Sequence, residues 1–192
     1  KIENLPVITH VLKRAKLCNA LDKVIVCTNS NKIIEEVKSN KCLYFKSKKK
    51  HNNGTERIAE YPLSKKVKYI IDIQADEPLF NPKSIEELIK FHKENPKFDI
   101  VIPSVKIKNS KNKNEVKIIS SEKGKILYLT RSSAPCEFKS KLNYVQKHLS
   151  VISFKPQALK KFSKLKKSYL EKIEGIELMR ALENNFNLGT FL

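Results

Sequence analysis

Glycine is scarce in this chain: four residues among 192. No Gly-x-Gly-x-x-Gly and no Gly-x-x-x-x-Gly-Lys-Ser/Thr run occurs. That excludes a dinucleotide site of the usual kind and a P-loop, both of which bring bare backbone against a phosphate. No serine sits in a nucleophile elbow. The four cysteines, Cys18, Cys27, Cys42 and Cys136, form no Cys-x-x-Cys pair and share no zinc-like spacing with histidine. They read as free thiols in a reducing compartment. Apolar runs are too short to span a bilayer, and the opening residues lack the basic-then-apolar layout of an export signal. The expectation is a soluble cytoplasmic protein with no membrane partner.

Acidic residues are also in short supply, 20 against 39 Lys and Arg, for a formal charge of +19. Only Arg14, Arg57, Arg131 and Arg180 among those cations are arginines. Base readout and bidentate phosphate contact favour arginine, whereas Lys, Asn and Ile together reflect AT-rich codons. The densest runs, Lys46 with Lys48 to Lys50, and Lys160 to Lys167, read as solvated faces. No nucleic-acid partner is expected. The same field suits a small polyanion such as a nucleoside triphosphate.

What is present is an alternation of short helices and strands. Pro6 opens a helix with Val7, Ile8, Val11, Leu12 and Ala15 inward; Val24 to Thr28 is a buried strand; Ser30 or Asn31 caps a helix carrying Ile33, Ile34 and Val37; Cys42 to Phe45 is a strand. A short helix from Thr55 to Tyr61, a strand from Val67 to Gln74, a helix from Pro82 to Glu94 and a strand from Asp99 to Pro103 follow. This pattern predicts an α/β fold in a single domain, 1–192, with a mostly parallel central sheet and helices on both faces. The runs around Ser121-Glu122-Lys123-Gly124 predict an inserted antiparallel hairpin. Val145 to Phe154 reads as one strand, and Pro156 to Phe162 and Glu171 to Leu182 as helices, the second weakened by Gly175.

The strand Ile70-Ile71-Asp72-Ile73 breaks into Gln74-Ala75-Asp76-Glu77-Pro78. Carboxylates at the carboxyl end of a strand stand where open α/β sheets bind ligands, although Asp-Glu-Pro is also ordinary turn chemistry. Further polar clusters occur at His51 to Arg57, Thr130-Arg131-Ser132, Gln146-Lys147-His148, and Glu171, Glu174 and Glu177. Cations, amides and metal-binding oxygens of this kind suit phosphoryl or nucleotidyl transfer. Taken singly each has a structural explanation. Glu56 and Arg57 can be a surface pair, His148 a hydrogen-bonded core histidine, Arg131 a strand end, and the three glutamates a solvated helix face.

Their order is more specific. HNNGTERIAE, His51 to Glu60, resembles the His-x-Ser-Gly-Thr-Glu-Arg-x-Ala-Glu motif of the CMP-Kdo synthetases, the 3-deoxy-manno-octulosonate cytidylyltransferases. Gln74 to Pro78 resembles Gln-Gly-Asp-Glu-Pro, Leu127 to Arg131 resembles Tyr-Phe-Ser-Arg, and Lys147-His148-Leu149 resembles Lys/Arg-His-x-Gly. Leu170 to Arg180 is similar to Leu-Glu-x-x-Glu-x-Leu-Glu-Gln-Leu-Arg.

The resemblance implies a Rossmann-like nucleotidyltransferase fold, a homodimer, and transfer of CMP from CTP to the anomeric oxygen of an acidic eight-carbon sugar for lipopolysaccharide synthesis. It implies Mg²⁺ as cofactor, held by Asp76. Gln74 would hold the sugar, Arg131 and His148 would contact its acid group, and Glu174 and Glu177 would hold its hydroxyls or orient those cations. Asn53, Gly54, Thr55 and Arg57 would line the cytidine pocket. The resemblance also implies an arginine-rich phosphate-gripping segment before these residues and a further metal-site aspartate after them. Ala75 and Ser150 replace family glycines, and Cys136 and Phe138 replace a Trp and an Arg near Pro135. A related sugar nucleotidyltransferase with another acceptor, or an inactive binding or dimerising homologue, stands as the alternative.

Overall fold

The computed structural model describes residues 1–108 and 111–192. In chain order the elements are α1 (Val7–Ala15), β1 (Ile25–Thr28), α2 (Asn31–Ser39), β2 (Leu43–Lys46), α3 (Gly54–Ile58), β3 (Ile70–Ile73), α4 (Pro82–Glu94) and β4 (Ile100–Ile107). The hairpin β5 (Lys117–Ser120) and β6 (Ile126–Thr130) follows, then β7 (Val145–His148), β8 (Val151–Phe154), α5 (Pro156–Phe162), α6 (Tyr169–Glu174), α7 (Met179–Glu183) and β9 (Leu188–Phe191).

Local chemistry accounts for most boundaries. In α4 the buried residues Ile85, Leu88, Ile89 and His92 form one stripe. Asn81 caps it by accepting from the Lys83 amide at 3.1 Å, and Pro82 occupies a first-turn position where its missing amide costs nothing. Gly175 ends α6: its φ of 63° is the left-handed conformation that glycine adopts without strain. The predicted helix from Glu171 to Leu182 is therefore two helices with Glu177 in the turn between them.

The sheet differs from the expectation. β1 and β2 pair in parallel as a separate two-stranded sheet. The main sheet has seven strands in the order β3-β8-β4-β7-β5-β6, with β9 added on β4. Every pairing along that order is antiparallel, and only β4 with β9 is parallel. The expected mostly parallel sheet is thus corrected to a mainly antiparallel one. The cause is β8, which inserts between β3 and β4. Those two strands keep the common direction of a β-α-β unit crossed by α4, but a returning strand occupies the space between them. The predicted strand Val145 to Phe154 breaks at Leu149 and Ser150, so that β7 serves the hairpin half of the sheet and β8 the other.

At its centre both faces of the sheet are buried, and the side-chain alternation of β4 and β8 shows it. Ile100, Ile102, Ile152 and Phe154 join a core with Leu159, Phe162 and Met179 of α5 and α7. Val101 and Val151 point the other way, onto Ile85, Leu88 and Ile89 of α4 and onto Phe98. Each fully buried Leu, Ile or Phe contributes roughly 1.5–3 kcal/mol. No helix among the described residues is long and apolar enough to cross a membrane.

Gly189, paired with Val101, is required by packing. A Cβ there would stand 2.4 Å from the Phe98 ring, which is buried on all sides. Gly189→Ala is expected to cost about 1–3 kcal/mol through overpacking, a fall in Tm of roughly 2–12 °C. Thermal unfolding followed by circular dichroism checks it; an unchanged Tm would mean that Phe98 turns aside freely.

Candidate active site

The turn after β3 is held by its neighbour across the sheet. Pairing of Ile73 with Val151 sets Gln74 beside Ser150. The Gln74 amide donates to the Ser150 carbonyl at 3.2 Å, and the Ser150 hydroxyl donates to Glu77 Oε1 at 2.8 Å. Ala75, Asp76 and Glu77 are exposed at the tip. Asp76 thus presents its carboxylate at the carboxyl end of β3, the edge strand of the main sheet, while its neighbour Glu77 is engaged.

The segment His51 to Glu60 closes on itself. His51 Nε2 lies 2.6 Å from Glu60 Oε2, which also accepts from the Ser47 hydroxyl at 2.5 Å, and the Lys48 amide donates to Glu60 Oε1 at 3.0 Å. These bonds hold the Glu60 carboxyl down to about 2. Asn53 Oδ1 caps α3 by accepting from the Glu56 amide at 2.8 Å. Glu56 Oε2 accepts from the Asn52 amide at 3.0 Å and from its side chain at 3.1 Å. The motif's polar residues therefore fold the loop before they meet any ligand.

Thr55 is completely buried and joins three elements. Its hydroxyl lies 3.1 Å from Asp72 Oδ2 on β3 and 2.6 Å from Glu177 Oε1 between α6 and α7. One hydroxyl proton serves one acceptor at a time, so making both bonds requires a proton on one carboxyl. Burial pushes Asp72 up to about 6, against the Thr55 bond that lowers it. Burial, joined by the Asp72 charge, pushes Glu177 up to about 7. Like carboxylates so close cannot both ionise cheaply.

Arg131 is tied to the end of α6. Its Nε donates to the Glu174 carbonyl at 2.9 Å, one terminal nitrogen to the Lys113 carbonyl at 2.9 Å, and the other to the Gly175 carbonyl at 3.4 Å. No carboxylate neutralises it among the described residues. Glu174 instead accepts from the Thr130 hydroxyl at 2.8 Å and from the Arg131 amide at 2.9 Å. His148 keeps part of its surface open, yet desolvation, with the Arg131 charge adding to it, lowers its imidazole to about 4. The ring is neutral at physiological pH.

A cleft of about 1340 Å³ lies between the β1 side of the molecule and the main sheet. Asn53, Gly54, Thr55 and Arg57 line one part, Gln74 and Asp76 another, and Arg131, His148 and Glu177 a third. The structure therefore brings together every site residue expected from sequence except Glu174, which is outside the lining and committed to β6. Arg57 Nε and Glu177 Oε2 are buried with no hydrogen-bond partner among the described residues. An unpaired donor and an unpaired acceptor in one cleft mark a place for a polar ligand. Sequence reasoning missed Asp72, although a carboxylate inside an otherwise β-branched run was a signal; it marked Ser150 as a departure from the resembled motif but not its bond to Glu77.

Among the described residues, no cluster of three or more His, Cys, Asp and Glu could hold a metal ion. A magnesium ion commonly takes only one or two carboxylates, with substrate phosphates and water completing its shell. The exposed Asp76 carboxylate fits that mode.

Comparison with known proteins agrees in extent with this site. The family "Cytidylyltransferase" matches residues 1–188. A 3-deoxy-manno-octulosonate cytidylyltransferase of Thermodesulfovibrio yellowstonii is 33% identical over 204 residues, covering 97% of this chain and 80% of the relative. One of Fusobacterium nucleatum is 35% identical over 192 residues, covering 97% and 78%. Among solved structures, a CMP:2-keto-3-deoxy-manno-octonic acid synthetase complexed with CTP superposes with a TM-score of 0.92 at 24% identity, over 100% of this chain and 80% of that one. A 4-diphosphocytidyl-2C-methyl-D-erythritol synthase of Anaerococcus prevotii shares the fold more loosely, with a TM-score of 0.61 at 10% identity over 100% and 81%.

The Asp72 and Glu177 pair sets a pH dependence of stability. A carboxyl raised on folding favours the folded state fully below its ordinary range, and that contribution is lost as pH rises through the folded value. For Asp72 the window runs from its ordinary 3.8 to about 6. Asp72→Asn removes the loss. Its Tm is expected to gain on the wild type as pH rises from 4 to 8, by roughly 5 °C across the window. Melting curves that shift in parallel at all pH values would show that Asp72 titrates normally.

Proposed function

This chain belongs to the cytidylyltransferase family, and from that premise we propose that it transfers CMP from CTP to the anomeric oxygen of 3-deoxy-manno-octulosonate and releases pyrophosphate. The observation that carries the reading is that one cleft collects residues distant in sequence that belong to separate motifs.

In the reaction the anomeric hydroxyl oxygen forms a bond to the α-phosphorus as the bond to the bridging oxygen of pyrophosphate breaks, and the hydroxyl proton is lost. The protein's task is orientation and charge neutralisation. Asn53, Gly54, Thr55 and Arg57 form the nucleotide side, with the unpaired Arg57 Nε available to an anionic or carbonyl oxygen. Arg131 has N–H groups left after its carbonyl bonds, and these would take the sugar carboxylate. His148, neutral, would hydrogen-bond the sugar without adding charge, and Gln74 would hold a hydroxyl. Glu177 Oε2 offers the unpaired acceptor for another. Glu174 acts through Arg131 and the end of β6. Asp76 would hold Mg²⁺, which when bound neutralises phosphate charge as it develops.

A homodimer belongs to the same reading. Its proposed face is the hairpin with the Pro135 loop, where Leu127 and Phe138 are exposed.

Pyrophosphate release from CTP, Mg²⁺ and 3-deoxy-manno-octulosonate tests the proposal. The wild type is expected to release it, and Asp76→Asn to lower kcat at least about 100-fold with little change in Tm. Release that persists in Asp76→Asn would remove Asp76 from the metal site; release with another acidic sugar alone would replace the acceptor.

A further inference from the structure

Arg180 lines no part of the cleft, yet it is completely buried and bonded to the helix that does. Its Nε and one terminal nitrogen grip both oxygens of Glu171, at 2.8 and 2.6 Å. The other terminal nitrogen donates to Glu56 Oε1 at 3.0 Å and to the Leu165 carbonyl at 3.0 Å. Phe162 lies under the guanidinium, its ring centroid 4.8 Å away. The planar fork of arginine matches this arrangement, and lysine has no equivalent.

Glu56 stands between Thr55 and Arg57 in a helix of five residues. A helix that short has no stability of its own, so its orientation is whatever its side chains anchor. Asn53 caps it, Thr55 ties it to Asp72 and Glu177, and Glu56 ties it to Arg180. Of these ties only the last reaches away from the cleft.

We propose that Arg180 is a positioning residue: acting through Glu56, it sets the pose of α3 and so places Thr55 and Arg57 against the nucleotide. This rests on the reading that α3 forms the nucleotide side of the cleft. Because Glu171 neutralises Arg180 separately, Glu56 can be changed without leaving a buried unpaired cation.

The test pairs two measurements on Glu56→Ala and Glu56→Gln. Hydrogen exchange reads the helix directly through the amides of Ala59, Glu60 and Tyr61, which donate to carbonyls of Thr55, Arg57 and Ile58. Steady-state pyrophosphate release reads its effect. In Glu56→Ala these amides are expected to exchange at least about 10-fold faster while β4 and β8 keep wild-type protection. The KM for CTP rises about 10-fold with kcat within about twofold, and Glu56→Gln, which keeps one oxygen for Arg180 and gives up the Asn52 bonds to Oε2, recovers most of both. Unchanged exchange at these amides, or faster exchange spread evenly over the fold, overturns the proposal. Local exchange as expected in a protein whose wild type turns over no CTP would uphold the clamp and refute the nucleotide reading.

Discussion

The run Val145–Phe154, laid antiparallel between strands that would otherwise adjoin, is the constraint on which the site depends. At its β8 end it pairs with β3 and β4, and at its β7 end with β4 and β5. The break between, at Leu149 and Ser150, falls beside Gln74, so the acidic turn and His148 meet at one place. Register is fixed by burial on both faces: a slip of one residue would turn Ile152 and Phe154 toward α4 and Val151 toward α5. The core therefore determines which polar groups reach the cleft.

A second layer of constraint is electrostatic. Buried charges persist only when paired, and around α3 nearly every one is. Glu60 takes His51, Glu56 and Glu171 share Arg180, and Asp72 and Glu177, which share only the Thr55 hydroxyl, are pushed toward neutrality instead. The spacing of His51 to Glu60 follows from this. Its ends meet to close the loop, Asn53 caps the helix, Thr55 and Glu56 anchor opposite sides, and Arg57 alone remains unsatisfied at Nε.

Much of this was legible in the sequence. The α4 boundaries, the hairpin about Gly124, and the turn after Ile73 all follow from caps, periodicity and breaking residues. The insertion of β8 did not, because strand direction is a long-range choice and Val145 to Phe154 reads equally well parallel or antiparallel. In sequence Gly175 is no more than a weak point in one helix; its left-handed φ makes it a helix end. Glu174 lies one turn from Glu177, and periodicity placed both on one face. The break at Gly175 separates them, sending Glu174 to β6 and Glu177 to Thr55.

The departures from the family pattern can be weighed by the same logic. A glycine at position 150 would offer only backbone to the turn. Ser150 adds a hydroxyl bond to Glu77, which at this exposed position competes with water and contributes at most about 1 kcal/mol. The bond also gives Glu77 a partner on the protein, leaving Asp76 as the unengaged carboxylate at the tip. Ala75, in turn, adds a Cβ where the family has none and narrows the conformations open to the tip. Both changes act in one direction, toward a turn that is stiffer before any ligand arrives. A stiffer tip lowers the ordering cost of binding and confines the proposed metal ligand to fewer positions.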